Sequence, residues 1–297
     1  YFIQEPCIMQ KPTVLLAFLL SFGTLSAHAA ESPAFAEFMK QAGHIHGIAV
    51  NPGDPSQLYL ATHRGLYLLS PDGKTVRVSD ANHDFMGFVV HPTAPNQIYG
   101  SGHPVGGGNL GFIASTDGGK TWRQLSPGVK GPVDFHAMTI SNADPKVMYG
   151  LYGNIQVSRD GGHTWAIAGP APGKVIDLAA SATDARTLYA GTTEGVLESK
   201  DEGGSWQSAY LITRPVSLVE TDKDGALYVF MVEVGFLKHQ GHDWTRLASA
   251  SDFGERYFTH LAIDPNDSTR LYVTTSAGEL LASTDGGQHW QPFAQGL

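Results

Sequence analysis

The chain has 297 residues, of which 42% are hydrophobic and 16% are charged, as is typical of a globular protein. Its formal net charge of −9 argues against nucleic acid or an anionic membrane surface as a partner. Its 35 glycines favour many short strands and tight turns over long helices.

The first 29 residues are predicted to be a secretion signal. Met9 and Lys11 precede the apolar run VLLAFLLSFGTLSA, which ends at the small-residue pattern Ala27-His28-Ala29. Cleavage there predicts a periplasmic or secreted protein without a membrane span. Residues 1–8 are expected to lie upstream of the true start. They include Cys7, the single cysteine, so the mature protein would have no thiolate for disulfides or metals.

Residues 30–43 fit no repeat and are expected to form a short helix or a segment across a closure. From residue 44 onward, a unit of roughly 40 to 46 residues repeats six times. Each unit contains an apolar segment, a second segment with a tyrosine, a hairpin, a third segment, a glycine-rich turn and a fourth segment. The tyrosines are Tyr59, Tyr99, Tyr149, Tyr189, Tyr228 and Tyr272. Four short strands per unit predict an all-β fold, a six-bladed β-propeller spanning residues 44–297.

Four of the turns share one pattern, which is ASTDGGKTW at residues 114–122 and returns as VSRDGGHTW, ESKDEGGSW and ASTDGGQHW. The aspartate is expected to accept bonds from backbone N–H groups of the turn, and the tryptophan to bury its ring between strands. These aspartate and tryptophan pairs are Asp117 and Trp122, Asp160 and Trp165, Asp201 and Trp206, and Asp285 and Trp290. Because four equivalent turns cannot each be a unique active site, we expect a structural role.

This S-x-D-x-G-x-x-W pattern resembles the Asp-box, or BNR repeat, of sialidase-like propellers, and the resemblance extends over the whole mature chain. Such propellers include sialidases, xyloglucan hydrolases, sortilin-type receptors and a photosystem assembly factor, so the resemblance implies a fold more than an activity. A sialidase would use an arginine triad, an activated tyrosine and an acid/base aspartate. The N-terminal Arg-Ile-Pro motif of that family is absent. Candidate catalytic residues for a glycoside hydrolase are Asp134, Asp177, Glu194 and Tyr257.

Propeller geometry divides the histidines between two faces. The S-x-D turns define one face, which we call the turn face. The opposite face, which we call the hairpin face, carries the starts of the innermost strands and the hairpins between second and third strands. Seven histidines are predicted on the hairpin face: His44, His46, His63, His83, His103, His136 and His260.

His44 and His46 form an H-x-H pair whose side chains are expected on the same side of one strand. With a third ligand from His136, His63 or His103, they are predicted to bind one copper or zinc ion at the channel mouth. An alternative is that these histidines only form hydrogen bonds or face solvent. The sequence therefore favours a binding module for a small ligand, glycan or protein, with a glycoside hydrolase and a partner-binding or assembly scaffold as alternatives.

Overall fold

The computed structural model describes residues 33–293, so the predicted signal at residues 1–29 lies outside the described residues. Twenty-four strands form six antiparallel sheets of four strands, and each sheet uses four consecutive strands. The sheets are blades 1 to 6 in chain order. This arrangement confirms the predicted six-bladed β-propeller.

Blade 1 contains β1 (Ile45–Val50), β2 (Leu58–Thr62), β3 (Gly65–Leu69) and β4 (Thr75–Arg77). Blade 2 contains β5 (Asp84–Val90), β6 (Ile98–His103), β7 (Phe112–Ser115) and β8 (Arg123–Ser126). Blade 3 contains β9 (Met138–Ile140), β10 (Met148–Tyr152), β11 (Asn154–Ser158) and β12 (Ala166–Pro170).

Blade 4 contains β13 (Val175–Ala180), β14 (Leu188–Thr192), β15 (Gly195–Ser199) and β16 (Gln207–Ser208). Blade 5 contains β17 (Val216–Thr221), β18 (Leu227–Met231), β19 (Gly235–Gln240) and β20 (Asp243–Ser249). Blade 6 contains β21 (Phe258–Asp264), β22 (Asp267–Thr275), β23 (Leu280–Ser283) and β24 (Gln291–Pro292). The helices are α1 (Pro33–Ala42) and a short 3₁₀ helix (Ala250–Phe253).

The hydrophobic core is divided among the six junctions between neighbouring blades. One face of a blade packs on the facing side of the next, as Leu66 of blade 1 and Phe85 of blade 2 do in their shared cluster. Equivalent clusters fill the other five junctions, including the one between blades 6 and 1. The ring therefore closes by side-chain packing rather than by a strand shared between the first and last blades.

Helix α1 covers that closure. Its apolar residues recur at helical spacing, so Phe35, Phe38 and Ala42 lie on one buried face. They join a cluster built from both blade 1 and blade 6, in which the Phe38 ring lies 5.0 Å from the Tyr67 ring in an edge-on contact. The segment that fits no repeat is thus a helix that bridges the first and last blades.

The repeated turns are held by their own side chains. In blade 2, the Ser115 hydroxyl accepts the Gly119 N–H at 2.8 Å, and Asp117 accepts the Thr121 N–H at 2.9 Å. Bonds from Thr121 and Ser115 lower the pKa of Asp117 to about 2. Gly119 has φ +91°, and a Cβ there would lie 2.4 Å from Leu66 of blade 1. Only glycine meets both demands, so each such turn also locks two blades together.

The tryptophans of these turns are predicted to bury their rings between strands, and the structure shows all four partly buried. Each ring packs on the junction at one side while its indole N–H stays near the turn. Trp165, for example, lies 5.1 Å from Phe112 and 4.9 Å from Phe135, and its Nε1 donates to the Gly162 carbonyl at 3.1 Å. The partial exposure follows from this position at the rim of the blade.

Candidate metal centre

The hairpin face brings together two groups of histidine and aspartate, each with three possible donor atoms within 4.8 Å of one another. The blade 1–2 cluster is His46, His63 and Asp84. The blade 2–3 cluster is His103, Asp134 and His136. Both are built at blade junctions, because a hairpin of one blade lies beside the start of the next blade's innermost strand.

In the blade 2–3 cluster, Asp134 lies between the two histidines. Its Oδ2 accepts a bond from His136 Nε2 at 2.7 Å and lies 3.2 Å from His103 Nε2. The aspartate is 6% exposed, and its Oδ1 is buried with no hydrogen-bond partner among the described residues. A buried carboxylate oxygen without a donor is costly, so a proton or a cation beside Oδ1 would stabilise this site.

The orientation of His103 also indicates that a proton or a cation would stabilise this site. Its Nδ1 donates to the Gly108 carbonyl at 2.9 Å, which leaves the lone pair of a neutral ring on Nε2. That lone pair faces the Asp134 carboxylate, an arrangement that is repulsive without a proton or metal between the two atoms. Histidines that bind metals commonly donate their other ring N–H to a carbonyl in this way. The bond with Asp134 meanwhile raises the pKa of His136 above its ordinary value.

The blade 1–2 cluster is a chain of contacts. His63 Nδ1 donates to Asp84 Oδ1 at 2.9 Å, and the His46 Nε2 lies 3.2 Å from His63 Nε2. Burial, and then the neighbouring His63, lower the pKa of His46 to about 4, so this ring is neutral at physiological pH. The nearby His136 also lowers the pKa of His46, so the two clusters lie near each other.

The predicted H-x-H pair is less regular than expected. His44 precedes β1, and a register shift between Ile45 and Gly47 interrupts the simple alternation of side chains. The His44 and His46 rings lie 6.4 Å apart, and His44 lies 5.5 Å from the His63 ring. His136 likewise lies in a bend before β9 rather than inside the strand. The five predicted histidines are therefore divided between two clusters, with His44 beside the first.

Sequence reasoning missed Asp84 and assigned Asp134 to possible catalysis rather than to a histidine cluster. A signal was present, since blades 2 and 3 both begin with Asp-Phe at equivalent positions, Asp84-Phe85 and Asp134-Phe135. His63 and His103 also hold equivalent hairpin positions. Combining the two repeats would have paired each histidine with the aspartate of the following blade.

The other three catalytic candidates lie elsewhere on the ring. Asp177 is in β13 of blade 4, where it accepts the Leu178 N–H at 2.9 Å and the Val219 N–H of blade 5 at 3.0 Å. Burial raises the pKa of Asp177 to about 7. Glu194 is exposed in the next hairpin, and Tyr257 is exposed just before β21 of blade 6. The contacts of Asp177 with Leu178 and Val219 therefore join blades 4 and 5.

His260 joins the last blade to the first. Its Nε2 donates to the Ile45 carbonyl at 3.1 Å, and burial lowers its pKa to about 4. The registers place His260 and Asp177 at equivalent positions, each bonding to the backbone of the following blade. His260 is thus held in the channel wall rather than in either cluster.

Comparison with known proteins shows the fold. No family model matches the chain, and no curated protein matches it. A GH74 enzyme from Niastella koreensis aligns with a TM-score of 0.62 and 16% identity over 84% of this chain and 45% of the enzyme. YCF48 bound to D1 peptide aligns at 0.56 and 19% identity over 86% of this chain and 83% of YCF48. A putative gluconolactonase aligns at 0.62 and 12% identity over 84% of this chain and 91% of that one.

These likenesses support a propeller and leave the sialidase-like relationship a prediction. The chain spans less than half the length of the GH74 structure, and all three identities are low. Across residues 33–293, no helix is long and apolar enough to cross a membrane.

Proposed function

We propose that this protein is a ligand-binding propeller of the periplasm or the medium, and that a divalent copper or zinc ion at the blade 2–3 cluster forms part of its binding surface. The single observation that carries the proposal is the buried Oδ1 of Asp134, which has no hydrogen-bond partner within residues 33–293 and lies beside two histidines. Imidazole and carboxylate together suit a borderline divalent ion.

The geometry of the cluster supports an open site. Two ligands about 2.0–2.1 Å from a tetrahedral zinc lie about 3.3 Å apart, and His103 Nε2 and Asp134 Oδ2 are separated by 3.2 Å. His136 is 60% exposed in its side chain, which provides a path for an ion from solvent. Once His136 gives up the Nε2 proton that it donates to Asp134, three protein donors would leave a fourth position for water or for an external ligand.

Metal titration tests the proposal. Protein stripped with a chelator should bind zinc at the cluster, and Asp134→Asn and His103→Ala should abolish that binding. His242→Ala is the matched control, because His242 is exposed on the turn face between β19 and β20. If zinc binds with the same stoichiometry and affinity to wild type and to both cluster variants, the proposal is wrong.

A peptide partner is a second candidate, favoured by apolar side chains on the hairpin face. Leu211 is 97% exposed in the connection from β16 to β17, and Ile212 and Ile176 are also exposed. Exposed apolar groups mark interaction surfaces when they lie close together. YCF48, which is similar in fold, is described as bound to D1 peptide. Leu211→Asp should weaken capture of apolar peptides from an array, and unchanged capture would remove this candidate.

A further inference from the structure

The blade 1–2 cluster has a different construction from the blade 2–3 cluster. Here the carboxylate of Asp84 contacts one histidine, His63, through its Nδ1 at 2.9 Å. That bond fixes the tautomer of His63 and directs its Nε2 lone pair away from Asp84. This is the arrangement of a carboxylate, a histidine and a metal in line, in which the carboxylate orients the ligand without binding the ion.

A second imidazole nitrogen lies beside the His63 ring. His46 Nε2 is 3.2 Å from His63 Nε2 and 3.3 Å from His63 Nδ1. Because Nδ1 carries the proton that bonds Asp84, Nε2 is the nitrogen left to share an ion with His46, and about 3.3 Å is the separation expected for two nitrogens on one tetrahedral zinc. The His44 ring, 5.5 Å from that of His63, stands beside the same pair.

We infer that His46 and His63 form a second zinc or copper site through their Nε2 atoms, with Asp84 as the positioning residue for His63. The protein then binds two divalent ions, one at each of two successive blade junctions. This inference rests on the proposed function for the choice of ligand chemistry, but not on the same residues.

The hairpin histidine and the aspartate of the following blade recur at both junctions, as His63 with Asp84 and as His103 with Asp134. The third residue differs in origin. His46 comes from the preceding blade, whereas His136 comes from the following one. One sequence repeat has therefore produced two neighbouring sites whose aspartates differ in role, an orienting group in the first and a direct ligand in the second.

Counting bound zinc in the stripped full-length mature protein by native mass spectrometry and calorimetry tests this inference. Wild type should bind two ions, and both His63→Ala and His103→Ala should bind one. Asp84→Asn should keep two sites but weaken one by about 10- to 100-fold, the usual effect of removing an orienting partner. His242→Ala should match wild type, and circular dichroism should show that each variant is folded.

The outcomes separate the two proposals. If His63→Ala and Asp84→Asn both bind zinc as wild type does, the blade 1–2 site is disproved, even where His103→Ala loses its ion. If wild type binds a single ion that disappears only in His63→Ala, the blade 1–2 site stands, whereas the blade 2–3 proposal and the count of two ions fail. If wild type binds no zinc, both fail. His63 is 39% exposed in a hairpin, so its replacement should leave the fold intact.

Discussion

Asp84 and Asp134 begin equivalent segments of successive blades, and each carboxylate contacts the hairpin histidine of the blade before it. The contact distances are 2.9 Å to His63 and 3.2 Å to His103. Because each pair crosses a junction, its geometry depends on how two blades pack. Each cluster therefore forms only where two blades meet, and no single repeat contains it.

Zinc should stabilise the wild-type fold more than it stabilises Asp134→Asn. A ligand that binds only the folded state stabilises it by about 2.7 kcal/mol at 100 times its Kd. Asn lacks the negative charge that the blade 2–3 site offers to a cation, so zinc should raise the melting temperature of the variant by less than that of wild type, through the blade 1–2 site alone. The measurement is the melting temperature across a zinc series, with chelator as the reference. An equal zinc-induced rise in the variant would contradict the assignment of Asp134 as a ligand.

The sequence predicts the fold well because each blade repeats its own local signals. Tyr59 and Tyr99 hold the same place in the strand registers, as do the tyrosines of the other blades. The junction contacts are harder to predict. The repeat period of the sequence does not show that His46 faces His63, because a bulge in β1 redirects the side chain. It also does not show that His136 faces Asp134, because His136 lies in a bend before β9.

Trp165→Ala should lower the free energy of unfolding by about 3 kcal/mol, the lower end of the range for buried aromatic residues, because this ring is only partly buried. The loss arises from its contacts with Phe112 and Phe135 at the junction of blades 2 and 3. Trp165→Phe keeps most of the ring but removes the bond to Gly162, and should cost about 1 kcal/mol. Urea unfolding of both variants measures the difference. Equal stability of Trp165→Ala and wild type would show that the turn does not hold the blades.

Phe38→Ala should destabilise the closure by about 3 kcal/mol. The side chain is buried between α1 and the first and last blades, and its edge-on contact with Tyr67 would be lost. Lys40→Ala on the exposed side of the same helix should change stability by less than about 0.5 kcal/mol. Chemical denaturation of the two variants distinguishes packing from helix propensity. Equal effects would mean that α1 does not support the ring.

Asp177 should make the protein less stable as pH rises from about 4 to 7. Burial raises its pKa in the folded state to about 7, above the ordinary value of 3.8. The folded protein then binds more protons than the unfolded chain across this window, so the contribution present below pH 3.8 is lost as pH rises through 7. Asp177→Asn should make stability depend less steeply on pH. Part of the pH dependence should remain, because burial also raises the pKa of Glu220, to about 8. Denaturant unfolding at several pH values in chelator is the measurement. An unchanged slope in Asp177→Asn would refute the role of Asp177.

The protein should release no sugar from xyloglucan, sialyl-lactose or aryl glycosides. A two-carboxylate mechanism needs an acid and a base placed on either side of one bond. Asp134 instead lies between two histidines, and both oxygens of Asp177 accept backbone N–H groups. Reducing-sugar and fluorogenic assays should therefore match a buffer blank, with and without added zinc. Release that persists in chelator and disappears in both Asp134→Asn and Asp177→Asn would establish the glycosidase alternative. Release that requires zinc and is lost only in Asp134→Asn would instead place hydrolysis at the metal cluster.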